Sequence, residues 1–167
     1  MAENEQNKEE GIAGGNDGEE IFAAKVIRHA IELAEKVSPK KISEISTAKV
    51  IRHAMEPTHY GELMKPDGHA VITGPCGDTD EFFLRIFSGR IREIRFQTTG
   101  CFFTMGTCDA VASLAEGRTV REGLQITQES VIAYLGELPE DHQHCALLAV
   151  NTLHKAIRTY LIRGTGL

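Results

Sequence analysis

Two runs of alternating residues, separated by a two-residue turn, constrain the fold of this chain more than any other feature. In DEFFLRIF, the residues Phe82, Leu84 and Ile86 share one face of an extended chain. Ser88-Gly89 then separates this run from RIREIRFQT. Because alternation is typical of a half-buried strand and two turn residues form the shortest hairpin connection, the pattern predicts an antiparallel β-hairpin. HAVITG, which precedes the hairpin, is a candidate third strand.

The spacing of apolar residues changes from two to about 3.6 residues after Gly100, which indicates helices. One helix is predicted from Cys101 to Gly117, TVRE opens a short helix with Thr119 as its cap, and Thr127 caps another. A last helix begins within DHQH. The residues expected on the buried faces of the first and last of these helices are Met105, Cys108, Ala112, Ala115, Ala146, Val150, Leu153, Ile157 and Tyr160. Strands followed by helices are typical of an α+β domain.

Composition and charge exclude several classes of function. The 167 residues are enough for one domain with a core, and the 41% of hydrophobic residues is typical of a globular protein. A net charge of -6 argues against nucleic acid as the main partner. No apolar run approaches the roughly 18 residues that cross a bilayer, and the N-terminus lacks the basic and apolar parts of a signal peptide. We therefore expect a cytoplasmic protein with no membrane partner.

The N-terminal part of the chain contains an acidic tail and an internal repeat. Residues 1–18 are almost free of large apolar side chains, which predicts disorder because nothing offsets the ordering entropy. AKVIRHA occurs at 24–30 and again at 48–54. Each copy is predicted to form an amphipathic helix, so residues 19–43 are expected to be an extra helix and linker. Residues 164–167 are expected to be a frayed C-terminus.

The four cysteines lie in separate segments, at Cys76, Cys101, Cys108 and Cys145. No CxxC is present, so neither a zinc ribbon nor a thioredoxin-type motif is indicated, and a cytosolic chain of this length does not need disulfides. Cys101 and Cys145 are expected at helix starts, where free N–H groups and the helix dipole stabilise thiolate. Cys108 lies on the apolar stripe of its helix and is expected to be a core residue.

Five candidate site residues are predicted to lie at junctions between elements. They are Cys76, Asp78, Cys101, His144 and Cys145. Junctions at one end of an α+β layer can be neighbours in space, so their coincidence predicts a metal or sulfur site. Taken one at a time, plainer interpretations exist: Asp78 can cap a turn through its own backbone, and His142 and His144 can be solvated loop residues.

The segments around three of the cysteines resemble the IscU/NifU-type iron-sulfur cluster assembly scaffold family. These segments are GPCGDTDEFFLRI, FQTTGC and HQHCALLAV, with ASLAEGRTVREGL between the second and the third. The resemblance covers roughly residues 48–162 and implies a scaffold domain at 44–163. It implies an antiparallel three-stranded sheet packed by helices, with three cysteines converging at one exposed end. The α+β pattern agrees with this expectation.

The resemblance also implies a function, partners and site residues. Family members receive ferrous iron, and persulfide sulfur from a cysteine desulfurase, build a 2Fe-2S cluster and pass it to acceptor proteins, so they are scaffolds and not enzymes. By motif, Cys76, Cys101 and Cys145 would be cluster ligands, Asp78 or His144 would complete the set, and Cys145 would receive the persulfide. Further candidate partners are an electron donor and a second copy of the chain, as a homodimer.

A mixed set of ligands fits a transient cluster. Iron-sulfur clusters prefer four thiolates, and a carboxylate or imidazole in place of one leaves a weaker bond. Three cysteines with Asp78 therefore suit assembly and release better than permanent electron transport. Without iron, the same set can accept tetrahedral zinc. Two alternatives stay open: a zinc-modulated sulfurtransferase relay, with Cys145 as nucleophile and His144 as its acid-base partner, and a zinc-stabilised interaction domain.

The chain departs from the family pattern at two places. LPEDH, residues 138–142, stands where many bacterial members carry a leucine-proline-proline-valine-lysine motif recognised by an Hsp70-type chaperone, so that recognition is not expected. The 43 residues between Cys101 and Cys145 match members without a long insertion. The second AKVIRHA copy matches the family's first helix, so the first copy is an extra segment. We hypothesise that residues 20–36 can dock in the groove intended for residues 44–56, in the same chain or a dimer partner.

Overall fold

A computed structural model describes residues 48–164 of the chain. A helix comes first, followed by three strands and then by further helices. The strands are β1 (Gly68–Thr73), β2 (Thr79–Phe87) and β3 (Arg90–Thr98). The helices are α1 (Ala48–Met55), α2 (Phe102–Ala115), α3 (Val120–Gly123), α4 (Gln128–Leu135) and α5 (Gln143–Gly164), with a 3-10 turn at Glu140–His142 before α5. The predicted α+β class is confirmed.

The predicted hairpin forms the centre and one edge of a three-stranded antiparallel sheet. The strand order is β1-β2-β3, and both pairs are antiparallel. Ser88 and Gly89 at the turn have φ angles of 50° and 70°. Two consecutive positive φ angles give a two-residue turn the twist that its flanking strands require. Phe82 pairs with Ala70 on one side and with Phe96 on the other, so three apolar residues line up across the sheet.

One face of the sheet packs against α2 and α5 and forms the core. Phe82, Leu84 and Phe96 are fully buried there. α2 is buried on nearly every side because α1, the sheet and α5 surround it. All residues predicted for the buried helix faces are buried except Tyr160. Tyr160 is only partly buried, and it packs beside Gly68 at the start of β1. Within residues 48–164, no helix is long and apolar enough to span a bilayer.

Local capping sets the starts of two short helices as predicted. The Thr119 hydroxyl accepts a hydrogen bond from the N–H of Glu122, whose carboxylate accepts one from the N–H of Thr119. Thr127 caps α4 in the same manner, with Ser130 as its partner, and Gly136, where φ is 98°, is the C-cap residue that follows α4. Each reciprocal pair satisfies two backbone N–H groups that the first turn of a helix leaves free.

A buried carboxylate fastens α1 to α2. Asp109 of α2 accepts hydrogen bonds from Nδ1 of His53 at 2.6 Å, and from the backbone N–H and Nδ1 of His59 at 2.9 and 3.0 Å. Beyond His59, Tyr60 forms a parallel bridge to Phe96 along the outer side of β3. The domain therefore holds both the last turn of α1 and the loop that follows it.

Several predictions concern residues outside the part of the chain that the structure describes. The acidic tail at 1–18, the extra helix and linker at 19–43, and the first AKVIRHA copy within that range all lie there, so they remain predictions. Residues 165–167 of the predicted frayed end also lie outside the described range. Gly164 is the last residue of α5.

Candidate metal centre

Two of the four cysteines meet where two helices begin. Cys101 is the N-cap residue of α2, with φ of -80° and ψ of -178°, and its side chain makes no capping hydrogen bond. Cys145 lies in the first turn of α5. α2 and α5 pack against each other, which brings the two sulfurs together. The prediction that both cysteines lie at helix starts is confirmed.

Cys101, His142 and Cys145 form a trio of candidate metal ligands. The two sulfurs and one ring nitrogen of His142 all lie within 4.8 Å of one another. Nδ1 of His142 lies 3.9 Å from Sγ of Cys101. The His142 ring stacks on Phe103, with a centroid distance of 4.0 Å and an interplanar angle of 23°. Two sulfurs and an imidazole are donors that both zinc and iron accept.

Asp78 is linked to the two cysteines of the trio by the buried side chain of Thr104, which contacts all three residues. Oγ1 of Thr104 lies 2.7 Å from Oδ2 of Asp78, and 3.4 Å from Sγ of both Cys101 and Cys145. A hydroxyl carries one proton, and the shortest contact is the one to the carboxylate, so Thr104 donates to Asp78 and can accept from a thiol. A carboxylate, a hydroxyl and two sulfurs therefore share one hydrogen-bonded cluster.

Cys76 and His144 lie outside the trio. Cys76 is exposed in the tight loop between β1 and β2, two residues before Asp78. Its loop therefore touches the cluster through the carboxylate of Asp78. Nε2 of His144 lies 3.7 Å from Sγ of Cys145. The described residues thus bring Asp78, Cys101 and Cys145 together and place His144 beside Cys145, whereas Cys76 lies in the loop that carries Asp78.

The two sulfurs of the trio share their protons unequally. The hydrogen bond from Cys145 lowers the pKa of Cys101 to about 5 against the effect of burial, and the backbone N–H of Thr104 contributes to this. The same hydrogen bond, together with burial, raises the pKa of Cys145. The prediction of thiolate at both helix starts is therefore wrong for Cys145. One thiolate beside one thiol is more stable than two adjacent negative charges.

Cys108 lies deeper in the domain and is a core residue, as predicted. It is fully buried, and burial followed by the neighbouring Asp80 raises its pKa. Burial also raises the pKa of Asp80 to about 6, although a hydrogen bond from Thr98 at 2.7 Å opposes this. A neutral thiol in this position packs as a small apolar side chain.

A comparison with protein families matches residues 45–165 to the NifU-like N terminal domain. The chain belongs to this family. Among curated relatives of this NifU-like domain, the iron-sulfur cluster assembly scaffold protein IscU 1 of Archaeoglobus fulgidus is 35% identical over 105 residues, which are 62% of this chain and 69% of the relative. The scaffold protein IscU of Aquifex aeolicus is 30% identical over 110 residues, which are 64% of this chain and 70% of the relative.

Solved structures share the fold of this NifU-like domain. A nitrogen-fixing NifU-like protein from Brucella abortus aligns with a TM-score of 0.62 at 18% identity, over 73% of this chain and 98% of that one. A SUF-system protein from Fervidobacterium islandicum aligns with a TM-score of 0.56 at 14% identity, over 68% of this chain and 97% of that one. At these identities the likeness supports the fold alone.

The set of site residues predicted from the sequence omits two side chains that lie in the cluster, His142 and Thr104. The interpretation of His142 as a solvated loop residue is wrong, because its ring stacks on Phe103 and faces Cys101. His142 precedes Cys145 by three residues, and residues three apart lie on one side of a helical segment. Thr104 follows Cys101 by the same interval. This spacing is the signal that could have found both residues.

Proposed function

We propose that this chain is a scaffold for the assembly of iron-sulfur clusters. The supporting observation is the trio Cys101, His142 and Cys145, whose ligand atoms lie within 4.8 Å of one another at the starts of two helices. The IscU relatives from Archaeoglobus fulgidus and Aquifex aeolicus carry the name of cluster assembly scaffold proteins. In this role the cluster is cargo, which is built on the protein and then passed to an acceptor protein.

The proposed ligands are three thiolates and one weaker donor. The thiolates would come from Cys76, Cys101 and Cys145. The weaker bond would come from a carboxylate or an imidazole, for which the candidates are Asp78, His142 and His144. Cys76 is exposed whereas Cys145 is 1% exposed, so the bond on the solvent side can exchange first. Such a mixed and partly exposed set favours transfer of a cluster over its retention.

Cys145 is the proposed acceptor of sulfur from a cysteine desulfurase. Its thiolate would attack the outer sulfur of a persulfide on the desulfurase. A new S–S bond then forms at Cys145, the S–S bond of the desulfurase breaks, and the desulfurase cysteine leaves as thiolate. Attack requires Cys145 to lose its proton, and Nε2 of His144, which lies 3.7 Å from Sγ of Cys145, is placed to accept it. Because Cys145 is 1% exposed, the desulfurase must also open the start of α5.

Cluster assembly from these parts also requires electrons. The transferred sulfur of a persulfide must take up two electrons to become sulfide, and ferrous iron supplies only part of them when it becomes ferric. An electron donor is therefore a partner in this proposal, together with the desulfurase and the acceptor proteins. We place the protein in the cytoplasm, because ferrous iron and four free cysteines require a reducing compartment.

A zinc-bound sulfur acceptor is the second candidate function, and the same trio favours it. Cys101, Cys145 and His142, with the carboxylate of Asp78 nearby, supply the sulfur, nitrogen and oxygen donors of a tetrahedral zinc site. A protein of this kind would accept persulfide sulfur on Cys145 and pass it on without building a cluster.

Anaerobic reconstitution distinguishes the two candidates. Protein purified without oxygen is mixed with ferrous iron and sulfide, and visible absorption is followed together with bound iron and sulfide. The scaffold proposal predicts a coloured cluster that is lost in Cys101→Ser. Cys108→Ala removes a thiol outside the site and should retain the cluster. A colourless protein that acquires persulfide on Cys145 with zinc bound would contradict the scaffold proposal and support the zinc-bound acceptor.

A further inference from the structure

We infer that Thr104 is a positioning residue for the metal ligands, an inference that rests on the proposed function and extends it. Thr104 lies in the first turn of α2, and its side chain is fully buried. Its hydroxyl contacts three proposed ligands, Asp78, Cys101 and Cys145. Those three residues belong to three separate elements, so one hydroxyl connects them all.

Packing holds the Thr104 side chain in one orientation. A Cβ added at Gly100 would lie 2.5 Å from both Cβ and Cγ2 of Thr104, so the absence of a side chain at 100 leaves room for the threonine. The N–H of Gly100 donates to Oγ1 of Thr98 at 2.9 Å, which fixes this loop. Threonine also carries two heavy atoms on Cβ, which restricts rotation about χ1. The hydroxyl is therefore directed at the ligands.

The Thr104 hydroxyl holds the carboxylate beside the sulfurs. Its 2.7 Å hydrogen bond to Oδ2 of Asp78 ties the loop between β1 and β2 to the start of α2. It also gives the buried sulfur of Cys145 a polar partner at 3.4 Å. Ligands that are ordered before the metal arrives lose less conformational freedom when it binds. Thr104 should therefore influence metal affinity without being a ligand itself.

Two variants of Thr104 test this inference with zinc alone. Thr104→Val removes the hydroxyl and keeps the shape, whereas Thr104→Ser keeps the hydroxyl and removes the methyl group. The affinity for Zn²⁺ is measured on metal-free protein by competition with a chromophoric chelator. We expect Thr104→Val to weaken zinc binding about 10-fold or more, and Thr104→Ser to stay within about threefold of the parent chain.

A double-mutant cycle with Asp78 separates positioning from a structural role. If Thr104 acts through Asp78, Thr104→Val should have little further effect on zinc affinity in Asp78→Ala protein. Unchanged affinity in Thr104→Val, a serine variant as weak as the valine variant, or additive losses with Asp78→Ala would each overturn the inference. Urea unfolding without metal checks that the variants fold. Because no cluster is involved, failure of the scaffold proposal would leave this result interpretable.

We also propose, from a separate observation, that the groove holding α1 can accept residues 24–30 of the same chain. In α1, Val50 is 0% exposed and Ala54 is 1% exposed, and His53 is bound to Asp109. AKVIRHA at 24–30 contains the same residue types at the same spacing. All side chains through which α1 makes these contacts are therefore present a second time.

The wall of this groove is formed by α2 and α4. A Cβ added at Gly106 would lie 3.2 Å from the backbone oxygen of Val50, so glycine permits the close approach of α1 to α2. Nζ of Lys49 donates to the backbone oxygen of Tyr134 at 2.8 Å and lies 4.6 Å from the centre of its ring. Both Lys49 and Val50 belong to the repeated AKVIRHA, so these contacts do not distinguish the two copies.

Residues that follow the repeat favour the second copy. His59 donates to Asp109 from its backbone N–H and from Nδ1, whereas the corresponding position after the first copy is Glu35. A glutamate beside Asp109 would be repelled. The second copy should therefore occupy the groove in the parent chain. The first copy should occupy it only when the second copy is disrupted. The 17 residues at 31–47 can extend over about 55 Å, which is enough to reach the groove.

Charged substitutions in the two copies test this competition. Val50→Asp places a charge in the groove, and a first copy that can replace α1 should limit the loss of stability. Val26→Asp alone should have little effect on the free energy of unfolding. The double variant should therefore lose more than the sum of the two single variants, measured by urea unfolding. A Val50→Ala and Val26→Ala series provides the same comparison if the aspartate variants fail to fold.

Additive losses in both series would overturn this second proposal. A chain in which residues 24–30 are scrambled at constant composition is the matched control, and it should behave like Val26→Asp. Rescue of Val50→Asp that depends on protein concentration would place the first copy in the groove of another molecule, and would contradict docking within one chain.

Discussion

Nδ1 of His53 lies 2.6 Å from Oδ2 of Asp109, so a buried hydrogen bond fastens α1 to α2. Oδ1 of the same carboxylate lies 3.0 Å from Nδ1 of His59. Burial opposes ionisation of Asp109, but hydrogen bonds from the two imidazoles lower its pKa below the usual value. Burial likewise opposes protonation of His59, but Asp109 and Glu116 raise its pKa. The stability of the domain should therefore depend on charges outside the metal centre.

The combined contribution of Asp109 and His59 to the free energy of unfolding is expected to be largest between about pH 4 and about pH 6.5. The contribution of Asp109 is present above its unfolded pKa and is lost as the pH falls through the lowered folded pKa. The contribution of His59 is present below its unfolded pKa and is lost as the pH rises through the raised folded pKa. Urea unfolding from about pH 2 to about pH 9 covers both limbs. An alkaline decline that persists unchanged in His59→Gln would show that His59 is not its cause.

His53→Ala should destabilise the domain by about 1–3 kcal/mol, because it removes one hydrogen-bond partner from a buried carboxylate. Ser113→Ala is the matched control: the Ser113 hydroxyl donates to the backbone oxygen of Asp109 at 2.9 Å, and its side chain is only partly buried. The control should cost about 1 kcal/mol or less. Equal free energies of unfolding for the two variants would contradict a special role for the hydrogen bond between His53 and Asp109.

Alkylation rates should differ between the two cysteines of the trio in metal-free protein. Because Cys101 has a pKa of about 5, its reaction with iodoacetamide should change little between about pH 6 and about pH 8. Cys145 should react more slowly, since it is buried and keeps its proton. Mass spectrometry of peptides gives the rate at each cysteine, with the core residue Cys108 as the unreactive control. Faster alkylation of Cys145 than of Cys101 would contradict this proton assignment.

Features set by neighbouring residues could be predicted from the sequence. The hairpin depends on the alternation around Ser88-Gly89, and the start of α3 depends on Thr119 and Glu122, which are three residues apart. The positions of Cys101 and Cys145 at helix starts follow from similar local signals. The sharing of protons between those two sulfurs could not be predicted, because it depends on the packing of α2 against α5.

The histidine that groups with both sulfurs was equally hard to predict. The sequence places His144 beside Cys145, and this adjacency favours it as the ligand. In the structure, the 3-10 turn before α5 and the stacking on Phe103 place His142 in the trio instead. The register of a short turn depends on contacts with another helix, so adjacency in the sequence does not decide which imidazole faces Cys101.

His142→Ala should weaken zinc binding more than His144→Ala does. The loss of an outer-shell partner typically costs about 10- to 100-fold in metal affinity, and the loss of a ligand in the trio should cost more. The two variants are compared by chelator competition on metal-free protein, and each serves as the control for the other. A larger loss in His144→Ala would favour His144 as the ligand and contradict the arrangement of the trio.

Cluster transfer to an apo-ferredoxin tests the central claim most directly. The chain is reconstituted anaerobically, mixed with the apo-ferredoxin in the presence of a strong iron chelator, and the circular dichroism of the loaded ferredoxin is followed over time. The proposed scaffold role predicts that the ferredoxin acquires its cluster while the chelator captures little iron. A cluster that stays on the chain, or iron that passes only to the chelator, would contradict it.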